Sequence, residues 1–305
     1  MNVNVINQVI ILSLMMVVGV FARKKDIITK ETEESLSDFL LKITLPAMLL
    51  TSFNYNYSEK MVENAETIFI YSAILQAGLI LFSIVLTLKN KNEVKKVLRF
   101  IIIFSNSGFM GYPVLAGIFG KVGIFYGAIF NIPYNIFMFS IGIMIYTGKS
   151  DLRTIKKVVL NPAIITTVIG FLMFLFSVKM PYTLYMAAST VGSMTTPLSM
   201  IIVGTMLAEV KFKDVFSGFM VYYGCFLRLI LAPVFTVIIL KILHVENLII
   251  QICAIIEAMP AAVVASIFAQ KYRADAQLAA RIVFMSTIIS MFTIPLVTVI
   301  LKYII

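Results

Sequence analysis

The stretch SNSGFMGYP, at residues 105–113, and the stretch EAMPAA, at residues 257–262, each interrupt an apolar run that is long enough to cross a bilayer. About 20 apolar residues suffice for such a crossing. Both stretches contain residues that a membrane helix usually avoids, namely proline, glycine, asparagine or a carboxylate. Irregular backbone at membrane depth is tolerated only where it is buried in protein or lines a cavity. The two stretches therefore predict two broken helices that meet at a functional site.

The composition of the whole chain is that of a polytopic α-helical membrane protein. Hydrophobic residues make up 60% of its 305 residues and charged residues only 13%, and its mean hydropathy is +0.99. Apolar runs of about 20 residues recur, and the intervals between them are too short for a soluble domain. We therefore predict an all-α fold within the lipid bilayer. Ten spans are predicted, at residues 3–22, 35–53, 68–88, 100–118, 122–146, 162–178, 183–208, 216–240, 248–270 and 282–301.

The distribution of basic residues predicts the orientation of these spans. The formal net charge is +10, but the basic residues cluster in alternate loops, which argues against a nucleic-acid partner. Loops predicted inside the cell carry 18 Lys and Arg residues, and loops and tails predicted outside carry 5. The positive-inside rule then predicts a plasma-membrane protein with both termini extracytoplasmic. The first apolar run is followed, not preceded, by basic residues, so we interpret it as a transmembrane helix rather than a signal peptide.

The ten spans divide into two halves of five, at residues 1–148 and 149–305. Because five is odd, the second half enters the membrane from the opposite side, and the halves are predicted to be inverted repeats. The prolines agree with this division, because two pairs in corresponding spans recur at nearly one spacing. They are Pro46 and Pro197, which lie 151 residues apart, and Pro113 and Pro260, which lie 147 residues apart. Matching interruptions in the two halves indicate a binding site.

The first interruption favours an anion site. Gly108 and Gly111 give backbone freedom, and Pro113 removes a donor and prevents the helix from continuing. A second half-helix would then begin inside the membrane, where its free N–H groups and positive dipole end favour a bound anion. Asn106 and Ser107 add polar side chains at the break. We predict that Asn106, Ser107, Gly108 and Pro113 bind a substrate; a kink satisfied by a neighbouring helix is the alternative.

The second interruption adds a carboxylate. Pro260 is predicted to open the second half of the ninth span at the same substrate site, and Glu257 lies about one turn before it. A carboxylate at that depth costs about 2.5–3.5 kcal/mol on insertion scales, so it is by default a functional residue. Glu257 could ligate a sodium ion, carry a proton or pair with a buried cation.

Two basic residues within the spans are candidates for that cation. Arg228 lies midway along the eighth span, where it could pair with Glu257 or clamp a substrate anion. Lys42 lies in the second span, close enough to the inner end for its ammonium group to reach water. We predict that Arg228 contacts the substrate and that Glu257 and Lys42 take part in ion coupling.

Amide side chains in other spans extend the predicted site. Asn131 and Asn135 are four residues apart, so they share one face of the fifth span. They are predicted to line the substrate cavity beside the first interruption. Gln76, in the third span, is interpreted instead as an interhelical hydrogen-bonding residue.

Three stretches of the chain resemble the auxin efflux carrier family, which includes plant auxin exporters and bacterial malate-type permeases. They are ITLPA (residues 43–47), NSGFMGYP (residues 106–113) and AMPAAVVASIFAQKYRADAQLAARIVFMSTIIS (residues 258–290). The resemblance implies ten helices in two inverted repeats, a fold similar to that of bile-acid sodium symporters. Helices four and nine would break and cross in a moving core of helices three to five and eight to ten. Helices one, two, six and seven would form a static scaffold.

The resemblance also implies that the protein moves small organic anions and that Asn106, Pro113 and Pro260 lie at the crossover. Two residues depart from the family pattern. Glu257 stands where many relatives have an uncharged residue, and Lys42 stands where asparagine is common. Glu257 is similar to the carboxylate before the break in the sodium symporters, which favours cation coupling.

These features favour one hypothesis about the function and leave two alternatives. The leading hypothesis is a secondary transporter that moves a malate-like or auxin-like carboxylate by alternating access. Its coupling to Na⁺ or H⁺ and a homodimeric state are left open, and the only cofactor considered is a Na⁺ ion on Glu257. An intramembrane enzyme would need paired carboxylates, a histidine or a metal cluster within the spans, and we predict no enzymatic activity. A non-transporting sensor or scaffold would have no need for two broken helices.

Overall fold

The computed structural model describes residues 2–148, 160–208 and 218–304, which form helices joined by short turns and contain no strand. Much of the predicted loop at residues 149–161 and the start of the eighth predicted span therefore lie outside the described residues. The helices are α1 (Asn2–Lys24), α2 (Lys30–Phe39), α3 (Leu45–Ser52), α4 (Glu59–Leu86), α5 (Asn92–Ile103), α6 (Tyr112–Thr147), α7 (Pro162–Leu175), α8 (Tyr182–Ser193), α9 (Thr195–Ala208), α10 (Phe219–Phe226), α11 (Ala232–Ile242), α12 (Asn247–Glu257), α13 (Val264–Lys271) and α14 (Ala276–Ile304).

Within the described residues, six helical stretches are long and apolar enough to cross a membrane, judged by length and composition. Two shorter helices, α7 and α12, are also apolar. The protein is therefore all-helical and of the multi-pass membrane class, as predicted. The count of ten spans and their arrangement as two inverted repeats stay predictions. The six stretches are Asn7–Lys24, Glu59–Leu86, Ser107–Thr147, Tyr182–Ala208, Phe219–Ile242 and Ala276–Ile304.

In the described parts of the chain, three π-helical turns interrupt the helices, and a proline follows each of them. The turns are Leu40–Thr44, Ser107–Gly111 and Leu227–Leu231. The helix that follows each turn carries its proline in the first two positions. A proline has no N–H group and its ring clashes with the carbonyl four residues earlier. The wider π turn accommodates this local defect, which is why these interruptions coincide with proline.

Helix α6 contains a further break at Gly120. This residue has φ of 62° and ψ of −144°, a conformation that residues with a Cβ rarely adopt. The predicted fourth span ends at residue 118 and the fifth begins at residue 122, so the turn at Gly120 lies between them. Pro133 lies further along α6 and does not end it.

Among the helices that the structure describes, two pairs approach each other so closely that only glycine fits at their backbone contacts. A Cβ atom added at Gly204 of α9 would lie 2.0 Å from the carbonyl oxygen of Met16 in α1. A Cβ atom at Gly19 of α1 would lie 2.1 Å from the carbonyl oxygen of Ile201. Between α8 and α3, a Cβ atom at Gly192 would lie 2.7 Å from the backbone nitrogen of Met48. Small residues of this kind allow membrane helices to pack backbone against backbone.

Candidate functional site

The two interruptions lie side by side in the folded chain. Ser105 and Ala261 form an isolated antiparallel bridge. On either side of it, the N–H of Asn106 donates to the carbonyl of Pro260 at 2.7 Å, and the N–H of Ala262 donates to the carbonyl of Phe104 at 3.2 Å. The residues around this bridge are buried. We call this meeting point of the broken helices α5–α6 and α12–α13 the crossing.

Two helices end at the crossing and two begin there. Helix α5 ends at Ile103 and α12 at Glu257, so the carbonyl ends of both helices lie at this point. Helix α6, preceded by its π turn, and helix α13 run away from it and present their N–H ends. The carbonyl of Asn106 accepts the N–H groups of Met110 at 3.2 Å and Gly111 at 3.0 Å. The crossing therefore combines two negative and two positive helix-dipole ends.

Two polar atoms at the crossing have no hydrogen-bond partner among the described residues. They are the amide nitrogen Nδ2 of Asn106 and the hydroxyl Oγ of Ser105. Both residues are buried, with only 4% and 2% of their surface exposed. A buried polar group without a partner costs free energy, so such groups are commonly completed by water or a ligand. Asn106 was predicted from the sequence, and Ser105 was not.

Open space lies beside Gly108, two residues after Asn106. A Cβ atom built on Gly108 would meet no other atom within 4 Å. Gly108 and its neighbour Phe109 are half-buried, whereas residues 101–107 are buried. The π turn therefore opens on one side, at the N-terminal end of the helix that carries Pro113.

The fifth predicted span supports this opening from the side. The hydroxyl of Ser107 donates to Oδ1 of Asn131 at 2.7 Å, and the hydroxyl of Tyr134 donates to the carbonyl of Ser105 at 2.5 Å. Asn131 donates in turn to the carbonyl of Gly127 at 2.9 Å. Asn135 instead donates to the carbonyl of Asn131 in its own helix at 2.7 Å. Asn131 is thus brought to the break directly, and Asn135 lies one turn further along.

The carboxylate of Glu257 is held by two side chains from other helices. Nη2 of Arg228 donates to Oε2 at 2.5 Å, and Nε2 of Gln76 donates to Oε1 at 2.8 Å. Arg228 and Glu257 are both fully buried. Of the two cations considered from the sequence, Arg228 is the one that contacts Glu257. The prediction that Gln76 makes an interhelical hydrogen bond is confirmed.

Arg228 also binds the carbonyl ends of both terminating helices. At the end of α5, Nη1 donates to the carbonyls of Ile102 at 2.7 Å and Ile101 at 3.5 Å. At the end of α12, Nε donates to the carbonyl of Met259 at 3.2 Å and Nη2 donates to the carbonyl of Glu257. A guanidinium group has five N–H donors, and five such contacts are formed with protein acceptors. Arg228 therefore has no donor left for a substrate in this conformation.

Lys42 lies in the π turn Leu40–Thr44, away from this network. Its ammonium group is 2.5 Å from the carboxylate of Asp38, one helical turn earlier. Both side chains are more than 60% exposed, at 63% and 64%. An exposed pair of this kind contributes little free energy. The structure therefore does not bring Lys42 together with Glu257, and its predicted part in ion coupling stays a prediction.

A sodium ion fits poorly at Glu257 in this arrangement. Carbonyl and carboxylate oxygens are the ligands that such ions take at broken helices. Here the two oxygens of the carboxylate accept from Gln76 and Arg228, and the nearby carbonyls accept from Arg228. Within the described residues, no group of three or more His, Cys, Asp and Glu side chains could hold a metal ion.

Two further contacts at the crossing have weak signals in the sequence. Tyr134 is one of 13 tyrosines in a chain with 24 phenylalanines, so an aromatic residue in an apolar span does not stand out. Ser286, in α14, accepts the N–H of Ala261 at 3.1 Å through its hydroxyl. A serine in a membrane helix more often bonds to its own helix carbonyls. Only the fold reveals that both residues complete the hydrogen bonds of the broken backbone.

Comparison with known proteins identifies the family. The chain matches the family model described as "Membrane transport protein" over residues 4–298. It belongs to this family, which is of the auxin efflux carrier type, so the resemblance drawn from the sequence motifs is confirmed.

Two archaeal proteins named as uncharacterized transporters are similar to the chain. That of Methanocaldococcus jannaschii is 24% identical over 299 residues, which cover 94% of this chain and 96% of the relative. That of Methanothermobacter thermautotrophicus is 28% identical over 201 residues, which cover 64% of this chain and 65% of the relative. Family and relatives are transporters, which agrees with the expectation of a protein that is not an enzyme.

Proposed function

We propose that this membrane transport protein is a secondary transporter that carries a small organic anion across the plasma membrane by alternating access. In this proposal, ten spans form two inverted repeats, with a core of helices three to five and eight to ten that moves against helices one, two, six and seven. The membership of the family and the helix breaks at the crossing support it. The tight glycine-mediated contact between α1 and α9 is consistent with a rigid scaffold.

The observation that carries the substrate class is the unpaired amide nitrogen of Asn106 beside two helix N-termini. Helix N-termini bind carboxylate and phosphate groups through their N–H groups and dipole. The amide nitrogen of Asn106 adds a donor, and the open side at Gly108 admits a ligand. We assign Ser107, through its contact with Asn131, to the wall of the site. Pro113 and Pro260 keep the two half-helices apart.

Replacement of Asn106 by aspartate tests this assignment. The change keeps the size of the side chain but removes two N–H donors and adds a negative charge where an anion should bind. Uptake of radiolabelled carboxylates, with malate and indole-3-acetate as the first two probes, would be measured in proteoliposomes. We expect Asn106→Asp to lower kcat/KM at least about 100-fold, because losing an interaction with a charged group and adding a repulsion costs about 3 kcal/mol or more.

Asn64→Asp is the matched control. Asn64 is also buried, with 5% of its surface exposed, but it donates to the hydroxyl of Tyr126 and lies outside the crossing. Its replacement should leave KM within a few-fold of the wild type. Absence of carboxylate flux above protein-free liposomes, under any ion gradient or membrane potential, would contradict the proposed function.

A further inference from the structure

We propose that Arg228 is a tethered cation, which occupies the position that a coupling sodium ion would need at the crossing. The protein would then transport its substrate without binding sodium. The inference deepens the proposed function at the same site, and it rests on that function only for its transport readout. Its physical basis is the set of groups that Arg228 contacts.

The crossing concentrates negative charge on one side. Helices α5 and α12 both end there, and each helix C-terminus is equivalent to about −0.5 elementary charge. The carboxylate of Glu257 adds a full negative charge at the same place. A buried cation offsets this charge, because a carboxylate and helix ends that are buried away from bulk water are costly unless they are paired.

Arg228 reaches all of these groups with a single guanidinium. Its N–H groups contact the carboxylate of Glu257 and the carbonyls of Ile101, Ile102, Glu257 and Met259. Freed carbonyls, helix C-termini and a carboxylate are also the oxygen ligands that hold a sodium ion in transporters with broken helices. The guanidinium and a sodium ion would therefore compete for the same acceptors, and the guanidinium is part of the chain.

The position of Arg228 in the fold makes this occupation permanent. Arg228 lies in the π turn Leu227–Leu231 and is fully buried. Gln76 of α4 holds the other oxygen of Glu257. The network thus joins α4, α5, α12 and the α10–α11 stretch, all within the proposed moving core. Because the positive charge of Arg228 belongs to the core itself, the transporter does not need to bind a cation from either side of the membrane in each transport cycle.

Thermal unfolding of the purified full-length protein in detergent tests the inference without any substrate. Unfolding would be followed in NaCl and in choline chloride at equal ionic strength. The wild type should show the same melting temperature in both salts. Arg228→Ala should melt on the order of 5 °C lower or more, because it leaves Glu257 buried without a counter-ion. We expect millimolar guanidinium or sodium to restore part of that loss in a saturable manner.

The double variant Arg228→Met/Glu257→Gln controls for a merely structural defect. It removes both charges, so it should melt above Arg228→Ala and should not respond to sodium or guanidinium. A saturable sodium-dependent rise in the melting temperature of the wild type would overturn the inference. An Arg228→Ala variant that melts like the wild type, or a double variant that responds to sodium as Arg228→Ala does, would also overturn it.

Transport provides the second readout. Uptake by wild-type proteoliposomes should change less than about two-fold when choline replaces sodium on both sides, a factor that corresponds to a negligible difference in binding. Uptake that requires sodium would overturn the inference while supporting the proposed function. If no carboxylate is transported, the proposed function fails and the melting experiment still decides the role of Arg228.

Discussion

The pair of Arg228 and Glu257 shows how two fully buried charges can persist at membrane depth. Each charge loses its hydration when it is buried, and a single ion pair rarely repays that cost. The cost is reduced when the remaining donors and acceptors are satisfied, and here the guanidinium and the carboxylate make further hydrogen bonds to carbonyls and to Gln76. The pair therefore contributes to stability as part of a network, and removing one member should be worse than removing both.

A double-mutant cycle measures this network. We expect Glu257→Gln to lower the free energy of unfolding by about 3–5 kcal/mol, because it leaves the buried guanidinium without its counter-charge. Adding Arg228→Met should recover part of this loss. Reversible unfolding in mixed detergent provides the measurement. Lys42→Met is the control, since it removes a cation from the exposed pair with Asp38 and should leave the stability almost unchanged. Equal losses for Glu257→Gln and Lys42→Met would contradict the prediction.

At the scale of helices, two sequence features, namely breaks followed by proline and glycines at helix contacts, bring backbone groups together in the membrane. Breaks followed by proline expose helix ends, as at the π turn Ser107–Gly111, and neighbouring elements then satisfy those ends. Glycines such as Gly19 and Gly204 have the opposite effect, because they allow intact helices to touch along their backbones. The breaks create polar surface at the crossing, and the glycine contacts provide rigid packing away from it.

Alanine substitution distinguishes these two uses of glycine. Gly204→Ala should destabilise the protein by about 1–3 kcal/mol or more, because its Cβ would lie 2.0 Å from the carbonyl oxygen of Met16 and the helices would have to separate. Gly111→Ala is the matched control, since its Cβ would find its nearest neighbours at 3.7 Å in a helical backbone conformation. Melting temperatures in detergent provide the comparison. A Gly111→Ala variant that melts below Gly204→Ala would contradict this account.

At the scale of the whole molecule, the distribution of charge predicts how the helical bundle lies in the membrane. The predicted inner loops carry 18 basic residues and the outer segments carry 5, a bias that orients polytopic proteins during insertion. The six long apolar stretches within the described residues and the family membership establish a multi-pass membrane transporter. The orientation itself is a prediction that can be tested residue by residue.

Cysteine labelling tests the orientation. The native cysteines, Cys225 and Cys253, are buried and free, so the wild type should react little with a membrane-impermeant maleimide. We expect cysteines that replace the exposed residues Asn56 or Lys179 to be labelled in intact cells. Cysteines at the exposed position Lys89 should be labelled only after permeabilisation. The reverse pattern would contradict the prediction that both termini are extracytoplasmic.

The sequence by itself determined the helical membrane class, the family and the two helix breaks at residues 105–113 and 257–262. These properties depend on local composition, because an apolar run of sufficient length must be helical in lipid, and a proline that is grouped with glycine or polar residues favours a break. A proline alone does not suffice, since Pro133 and Pro295 lie inside helices. Asn106 was also identifiable, since an asparagine shortly before two glycines and a proline is conspicuous in an apolar span.

Only the tertiary structure decided which residues meet. Arg228 and Lys42 were both candidates for Glu257 in the sequence, and the fold brings the guanidinium of Arg228, not the ammonium of Lys42, to the carboxylate. Tyr134 and Ser286 had no distinctive signal, yet they complete the backbone hydrogen bonds of the crossing. Proximity across helices arises from how side chains pack along the whole bundle, and no local pattern of residues encodes it. For the same reason the occupation of the cation position by Arg228 became visible only in the fold.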